Sequence, residues 1–275
     1  MTTFRTVAAS RGAAWIVEGV AGLRREPGAY VGACLVLGFA STLPVLGLLA
    51  GLMMPVFYAG LLSLLRTRAE GGRGRAAQVF DGFTVPGALP RLLPIVSFNV
   101  LFALLAVAVI SMAAGPSLAA VAETAQAGGQ PSPAQVMELL GKLAMPLLLL
   151  APVGIFVGWM QMLAIPRAML DGVPGGSALR EAAAAVWANF GAFLVNLACL
   201  LAVGLGLVLV LAVPMIVVGV VQRAAPGLGM LLQVPLMAAL TAAVQGLYGA
   251  MMFQAARDLF PVAEAPPPLL DAIEA

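Results

Sequence analysis

Long stretches without a charged residue alternate with short arginine-rich segments along this chain. The first such stretch lies between Glu26 and Arg66 and contains 39 residues. Further stretches of 31, 24 and 41 residues lie between Arg91 and Glu123, Lys142 and Arg167, and Glu181 and Arg223, and a fifth runs from Arg223 to Arg257. A membrane-spanning helix needs about 20 predominantly apolar residues. Each stretch is therefore long enough to predict at least one transmembrane helix.

The first stretch predicts a hairpin rather than one helix. A straight helix of that length would extend about 60 Å, roughly twice the hydrocarbon thickness of a bilayer. Arginines flank both of its ends, and flanking positive charge favours the cytoplasmic side. The residues at 44–47, Pro-Val-Leu-Gly, supply a turn between two arms. Both arms are short, which leaves a shallow or tilted hairpin as an alternative to a full crossing.

The whole pattern predicts six transmembrane helices, at about 28–44, 47–65, 92–114, 143–166, 191–213 and 228–253. With the N-terminus in the cytoplasm, 12 of the 14 basic residues fall on the inner side, and only Lys142 and Arg223 fall outside. We therefore expect residues 1–260 to form a single transmembrane domain of the bacterial inner membrane, with both termini cytoplasmic. The proline-rich, acidic residues 261–275 are expected to form a disordered tail.

A charged, partly apolar segment precedes each predicted hairpin, at 10–26, 75–85 and 177–189. In the first segment Arg11, Glu18 and Arg25 recur every seven residues on one helical face, and Trp15 stands at its border. This pattern predicts an amphipathic helix lying at the inner headgroup layer, although packing against the bundle would explain it equally well. We therefore predict an all-α protein of three repeats, each an amphipathic interfacial helix followed by a transmembrane hairpin.

Composition agrees with a membrane protein. Hydrophobic residues make up 62% of the chain and charged residues 9%, against about 45–50% and 25% in soluble domains. The chain has no histidine, the commonest transition-metal ligand. Cys34 and Cys199 both lie in apolar stretches and are predicted to be buried hydrophobic residues. We predict no metal site, no catalytic residues and no cofactor.

Two sets of residues are candidates for binding. The first is a set of uncharged polar residues within the predicted helices: Asn99, Gln161, Asn196 and Gln245. These amides either form hydrogen bonds between helices, worth about 0.6–2 kcal/mol each, or line a polar cavity. The second set is basic and is predicted to contact anionic lipid headgroups: Arg24, Arg25, Arg66, Arg68, Arg73 and Arg75.

Particular residues carry a resemblance to a known group of proteins. They are Gly12, Trp15, Gly19, Arg24, Arg25, Pro27, Gly32, the stretch 43–47, Pro55, Gly60, the Phe-Asp-Gly-Phe motif at 80–83 and the Arg-Asp-Leu-Phe motif at 257–260. With these the chain resembles an uncharacterised proteobacterial family of multi-pass inner-membrane proteins. It is more distantly similar to YciC-type proteins and to the membrane region attached to some glycerophosphodiester phosphodiesterases. The resemblance implies architecture and location only.

No nucleotide-binding loop, nucleophile–base pair or paired acids can be read from the sequence. The only material for an enzyme site at the inner face is Asp81, Arg91, Asp171, Arg180 and Glu181. We therefore expect a non-enzymatic scaffold or envelope protein that acts through contacts with membrane lipids, a membrane-protein partner or a second copy of itself, and not with nucleic acid. The alternative is a permease or flippase-like transporter of an uncharged or lipid substrate.

Overall fold

The computed structural model describes residues 4–24 and 27–261, and within those ranges it contains helices and no strand. The helices are α1 (Arg11–Leu23), α2 (Pro27–Thr42), α3 (Pro44–Leu52), α4 (Met54–Ala69), a 3-10 turn (Ala76–Phe80), α5 (Asp81–Thr84), α6 (Ala88–Gln126), α7 (Pro133–Leu170), α8 (Gly175–Ala188), α9 (Phe190–Ala224) and α10 (Pro226–Leu259). The all-α prediction is confirmed for this part of the chain. Arg25 and the predicted tail after residue 261 lie outside the described residues.

Four helices, α6, α7, α9 and α10, are long and apolar enough to cross a membrane. Their 34 to 39 residues correspond to about 51–58 Å, more than the roughly 30 Å of a hydrocarbon core. Only 6% to 17% of the residues in their most apolar windows are buried. Apolar surface of this extent needs lipid to cover it, so the chain is a membrane protein. The spans predicted at 92–114, 143–166, 191–213 and 228–253 fall within these four helices.

The first predicted hairpin differs from the prediction. Helices α2 and α3 meet at an angle of 120°, with Leu43 in an extended conformation between them. The second arm, predicted as one helix at 47–65, is broken at Met53 into α3 and α4. Pro55 explains the break, because proline has no N–H for a helix interior but fits the first turn of a new helix. Residues 4–24 and 27–261 thus contain four helices that could span a membrane, or five if the bent pair counts as one span, and the first unit differs from the other two.

Helix α1 packs against the bundle instead of presenting its tryptophan at an interface. Trp15 is fully buried, and its ring centroid lies 5.2 Å from that of Phe193 on α9. Gly12 lies so close to the backbone of Ala192 that a side chain there would overlap it, so only glycine permits this helix crossing. The prediction that Trp15 stands at the border of the helix is wrong, because its side chain faces the core that α9 and α10 provide.

The other two segments predicted to precede hairpins are also helical. The 3-10 turn and α5 occupy the segment at 75–85, and α8 occupies the one at 177–189. Gly87, with φ of +76°, caps the start of α6 in the left-handed conformation that glycine adopts readily. Each of the two contacting pairs of long helices, α6 with α7 and α9 with α10, therefore follows a short helical segment directly along the chain.

The short helices collect at one end of the molecule, which we call the charged end. It comprises α1, the 3-10 turn, α5 and α8 together with the first turns of α6 and α9 and the last turns of α4, α7 and α10. A hydrogen bond from Arg66 Nη1 to the Leu170 carbonyl oxygen (2.8 Å) joins the last turns of α4 and α7. Burial is concentrated towards this end, since α6 has no buried residue between Val96 and Ala114. The opposite ends of the long helices project with most of their surface exposed.

Candidate functional site

The structure places the predicted amides at three separate helix contacts. Gln161 Nε2 donates to Asn99 Oδ1 (3.1 Å), which joins α7 to α6. Asn196 Nδ2 donates to a backbone oxygen of α1 (3.0 Å), and Gln245 Nε2 donates to a hydroxyl of α2 (3.4 Å). Only Asn99 and Gln161 are brought together. Each of the four side chains links two helices, which is the geometry expected of interhelix hydrogen bonding.

Asp258, near the end of α10, joins the two ends of the described chain. Its Oδ2 accepts hydrogen bonds from Arg11 Nε (2.6 Å) and Trp15 Nε1 (2.8 Å), and Arg5 also donates to this residue. Arg11 in addition holds both carboxylate oxygens of Glu18, at 2.8 and 3.0 Å. The hydrogen bonds that Arg11 donates to Glu18, and next those to Asp258, raise the pKa of Arg11 above its usual value, so this guanidinium stays charged. The network fixes α1 on α10.

The three carboxylates that an inner-face enzyme would need, those of Asp81, Asp171 and Glu181, are held in similar structural contacts. Arg167, in the last turn of α7, binds Asp171 (2.7 Å) and Glu181 of α8 (2.7 Å). Asp81 Oδ2 accepts a hydrogen bond from Ser63 Oγ on α4 (2.5 Å). These carboxylates therefore lie in two groups, and each group ties a short helix to a long one.

The arginines predicted to contact headgroups do not form one patch. Arg66 is engaged by Glu70 Oε1 (2.8 Å) as well as by the α7 carbonyl. Arg73 and Arg75 line an open depression of about 610 Å³ beside the 3-10 turn. Arg24 is exposed at the end of α1. Arg68 faces a different cavity, on the other side of the loop that follows α4.

That second cavity, which we call the arginine cavity, has a volume of about 590 Å³ and lies between α1, the end of α4 and the last turns of α10. The residues that give it its chemistry are Glu18 and Gly22 of α1, Leu65 and Arg68 of α4, and Phe253, Gln254 and Arg257 of α10. Arg68 Nη1 is buried and, within the described chain, has no hydrogen-bond partner. The Arg257 guanidinium lies 5.6 Å from the centroid of the Phe253 ring.

The arginine cavity carries excess positive charge. Glu18 is the one carboxylate among the residues that line the cavity. Both Glu18 carboxylate oxygens already accept hydrogen bonds from Arg11, which does not line the cavity. The charges of Arg68 and Arg257 therefore have no counterion among the other lining side chains. Sequence reasoning singled out Arg68 but missed Arg257, because no local pattern brings the end of α4 next to the end of α10.

No protein-family model, no curated protein and no solved structure matches this chain. The resemblance seen in the sequence therefore stays a prediction, and the site is defined by its own geometry. Within residues 4–24 and 27–261, no group of three Cys, Asp or Glu side chains lies close enough together to hold a metal ion.

Proposed function

We propose that this chain is a non-enzymatic protein of the bacterial inner membrane that acts through contacts with lipids or partner proteins. The proposal rests on one observation: carboxylates of this protein bind arginines and so join helices. The carboxylates of Asp258, Asp171 and Glu181 bind arginines and so tie helices together. A catalytic site requires such groups to converge on a space where a reacting atom can sit. Here they join the helices of the charged end to one another.

The proposed topology has the charged end in the cytoplasm. Twelve of the 14 basic residues support this orientation. We propose that the first unit is a re-entrant hairpin, because the 16 residues of α2 extend only about 24 Å, less than the hydrocarbon thickness. A side chain at Gly32 of α2 would meet Ala76, so α2 begins beside the segment that follows α4. Four crossings with such a hairpin, or six full crossings, both leave the two termini on the same side.

A labelling experiment distinguishes these two forms of the first unit. Val45, at the start of α3, is 71% exposed in the protein, so a cysteine there has space to react wherever water reaches it. For a re-entrant hairpin we expect Val45→Cys to resist membrane-impermeant maleimides from both sides of the membrane. Rapid labelling from outside would instead show that the hairpin crosses completely.

The function itself is tested on the full-length protein purified in mild detergent, with bound lipids and proteins identified by mass spectrometry. We expect enrichment of particular lipids or a stoichiometric partner over a control membrane protein prepared identically. The same preparation, reconstituted into liposomes, should not accelerate the transbilayer movement of fluorescent phospholipids. Saturable acceleration that depends on Asn99 or Gln245 would refute the scaffold function and establish the permease or flippase alternative.

A further inference from the structure

The arginine cavity has the features of a binding site for a particular chemical group. We propose that it binds a phosphate group, with Arg68 and Arg257 as the ligands. This inference deepens the proposed function, on which it rests, by naming the chemistry of one lipid contact and the residues that make it.

The main evidence for an anionic ligand is that Arg68 has a buried donor without an acceptor. Its Nη1 atom is buried and has no acceptor in the described part of the protein. A buried charged donor without an acceptor costs more free energy than an ordinary lost hydrogen bond. Glu18, the carboxylate in the same cavity, is already held by Arg11 through two hydrogen bonds. An anionic ligand would supply the acceptor that Arg68 lacks.

The surroundings favour phosphate as that anion. Arg68 and Arg257 come from different helices and line the same space, and guanidinium groups bind phosphate oxygens through paired hydrogen bonds. Gln254 adds a further donor, while Leu65 and Phe253 give the cavity apolar walls. A volume of about 590 Å³ exceeds what a bare phosphate needs and leaves room for the glycerol part of a headgroup.

The position of the cavity connects it to the membrane. Arg68 and Arg257 stand in the last turns of α4 and α10, where these helices leave their apolar stretches. Lipid phosphates lie at this level if the charged end faces the cytoplasm. The phosphate could also belong to a soluble phosphate or phosphate ester, so the experiment must distinguish these two sources.

The test compares the wild-type protein with single variants in detergent micelles. Native mass spectrometry measures binding of phosphatidylglycerol, with diacylglycerol as the matched lipid without a phosphate. Inorganic phosphate is the probe for a soluble ligand, followed by the shift in thermal unfolding temperature at constant ionic strength. Arg68→Gln and Arg257→Gln remove the proposed ligands. Arg180→Gln is the control, because it removes the same charge from an exposed position on α8 that does not line the cavity.

We expect wild-type protein to prefer phosphatidylglycerol over diacylglycerol, and each ligand variant to weaken that binding about tenfold or more. Arg180→Gln should change it less than about threefold. Gly22→Leu should also weaken binding, since the space at Gly22 is open apart from Gln254 Nε2 at 3.8 Å and a leucine would fill it. This variant keeps every charge and tests the cavity without altering an arginine.

The possible results distinguish failure of the phosphate site from failure of the proposed function. Stabilisation by inorganic phosphate that is lost in Arg68→Gln, without lipid preference, would support the phosphate site and assign it to a soluble ligand. Equal losses in Arg68→Gln and Arg180→Gln, or unchanged binding in Gly22→Leu, would overturn the cavity assignment while leaving lipid contact intact. Binding of neither probe by wild-type protein would overturn the site, and the scaffold function would then be judged by copurification and the transport assay.

Discussion

Replacing Asp258 with alanine should destabilise the protein far more than removing an exposed carboxylate. Asp258 is the common acceptor for side chains of α1, and its own side chain is only 17% exposed. Its loss leaves Trp15 Nε1, on a fully buried side chain, without an acceptor. The packing of α1 on α10 should therefore weaken.

The size of the effect follows from the individual contacts. An unpaired N–H on buried Trp15 costs about 1–3 kcal/mol. Arg11 keeps its two hydrogen bonds to Glu18, so the loss of its ion pair with Asp258 should cost only about 0.5–1 kcal/mol. Arg5 is 53% exposed and 3.5 Å from the carboxylate, so that ion pair should contribute almost nothing. The expected loss is about 1.5–4 kcal/mol in the free energy of unfolding.

Thermal unfolding in mild detergent, followed by tryptophan fluorescence, measures this loss. For a chain of this size we expect Asp258→Ala to lower the unfolding temperature by roughly 5–10 °C. Glu70→Ala is the matched control, because Glu70 forms an exposed ion pair with Arg66 and does not contact the Asp258 network. It should lower the unfolding temperature by less than about 3 °C.

A double-mutant cycle decides whether Trp15 is the cause. Trp15→Phe removes the N–H that needs Asp258, so Asp258→Ala should cost less in the Trp15→Phe background than in the wild type. The expected coupling is about 1–2 kcal/mol. An Asp258→Ala effect of the same size in both backgrounds would refute the assigned role of the Trp15 hydrogen bond.

Two further predictions concern helix contacts. Gly12→Ala should strongly reduce the amount of folded protein recovered, because the new Cβ would overlap the backbone of Ala192. Gly28→Ala should not reduce it, because a Cβ there meets no atom within 4 Å. Equal recovery of the two variants by size-exclusion chromatography would contradict this packing. Asn99→Leu and Gln161→Leu should show a coupling of about 0.6–1.7 kcal/mol in unfolding experiments, and independent effects would argue against their hydrogen bond.

The positions of the long helices could be predicted because they depend on local composition. Apolar stretches bounded by charges place α6, α7, α9 and α10 correctly, but the prediction ended them too early. The span predicted at 92–114 belongs to a helix that continues to Gln126. Its extension contacts α7, where Ser117 Oγ is 2.9 Å from Lys142 Nζ. A hydropathy pattern indicates only the part of a helix that lipid covers. It therefore does not predict the polar end turns that a neighbouring helix stabilises.

Features that depend on distant partners could not be predicted. Its own segment predicts Trp15 at the border of an amphipathic helix. Trp15 is instead a core residue, and its indole N–H donates a hydrogen bond to Asp258, 243 positions later in the chain. Likewise, the pairing of Asn99 with Gln161 and the convergence of Arg68 with Arg257 depend on which helices become neighbours. The break before α4 is different, because it has a local cause: Pro55 lacks a helical N–H donor and indicates a kink from the sequence alone.

The orientation of the charged end in the membrane is tested most directly by cysteine accessibility. Two exposed alanines are suitable, Ala77 in the 3-10 turn of the charged end and Ala127 just after α6 at the opposite end. Each is replaced by cysteine in a Cys34→Ala, Cys199→Ala background and treated with a membrane-impermeant maleimide in intact spheroplasts. We expect Ala127→Cys to react at once and Ala77→Cys to react only after the membrane is permeabilised. Labelling of Ala77→Cys in intact spheroplasts, with Ala127→Cys protected, would contradict the proposed orientation.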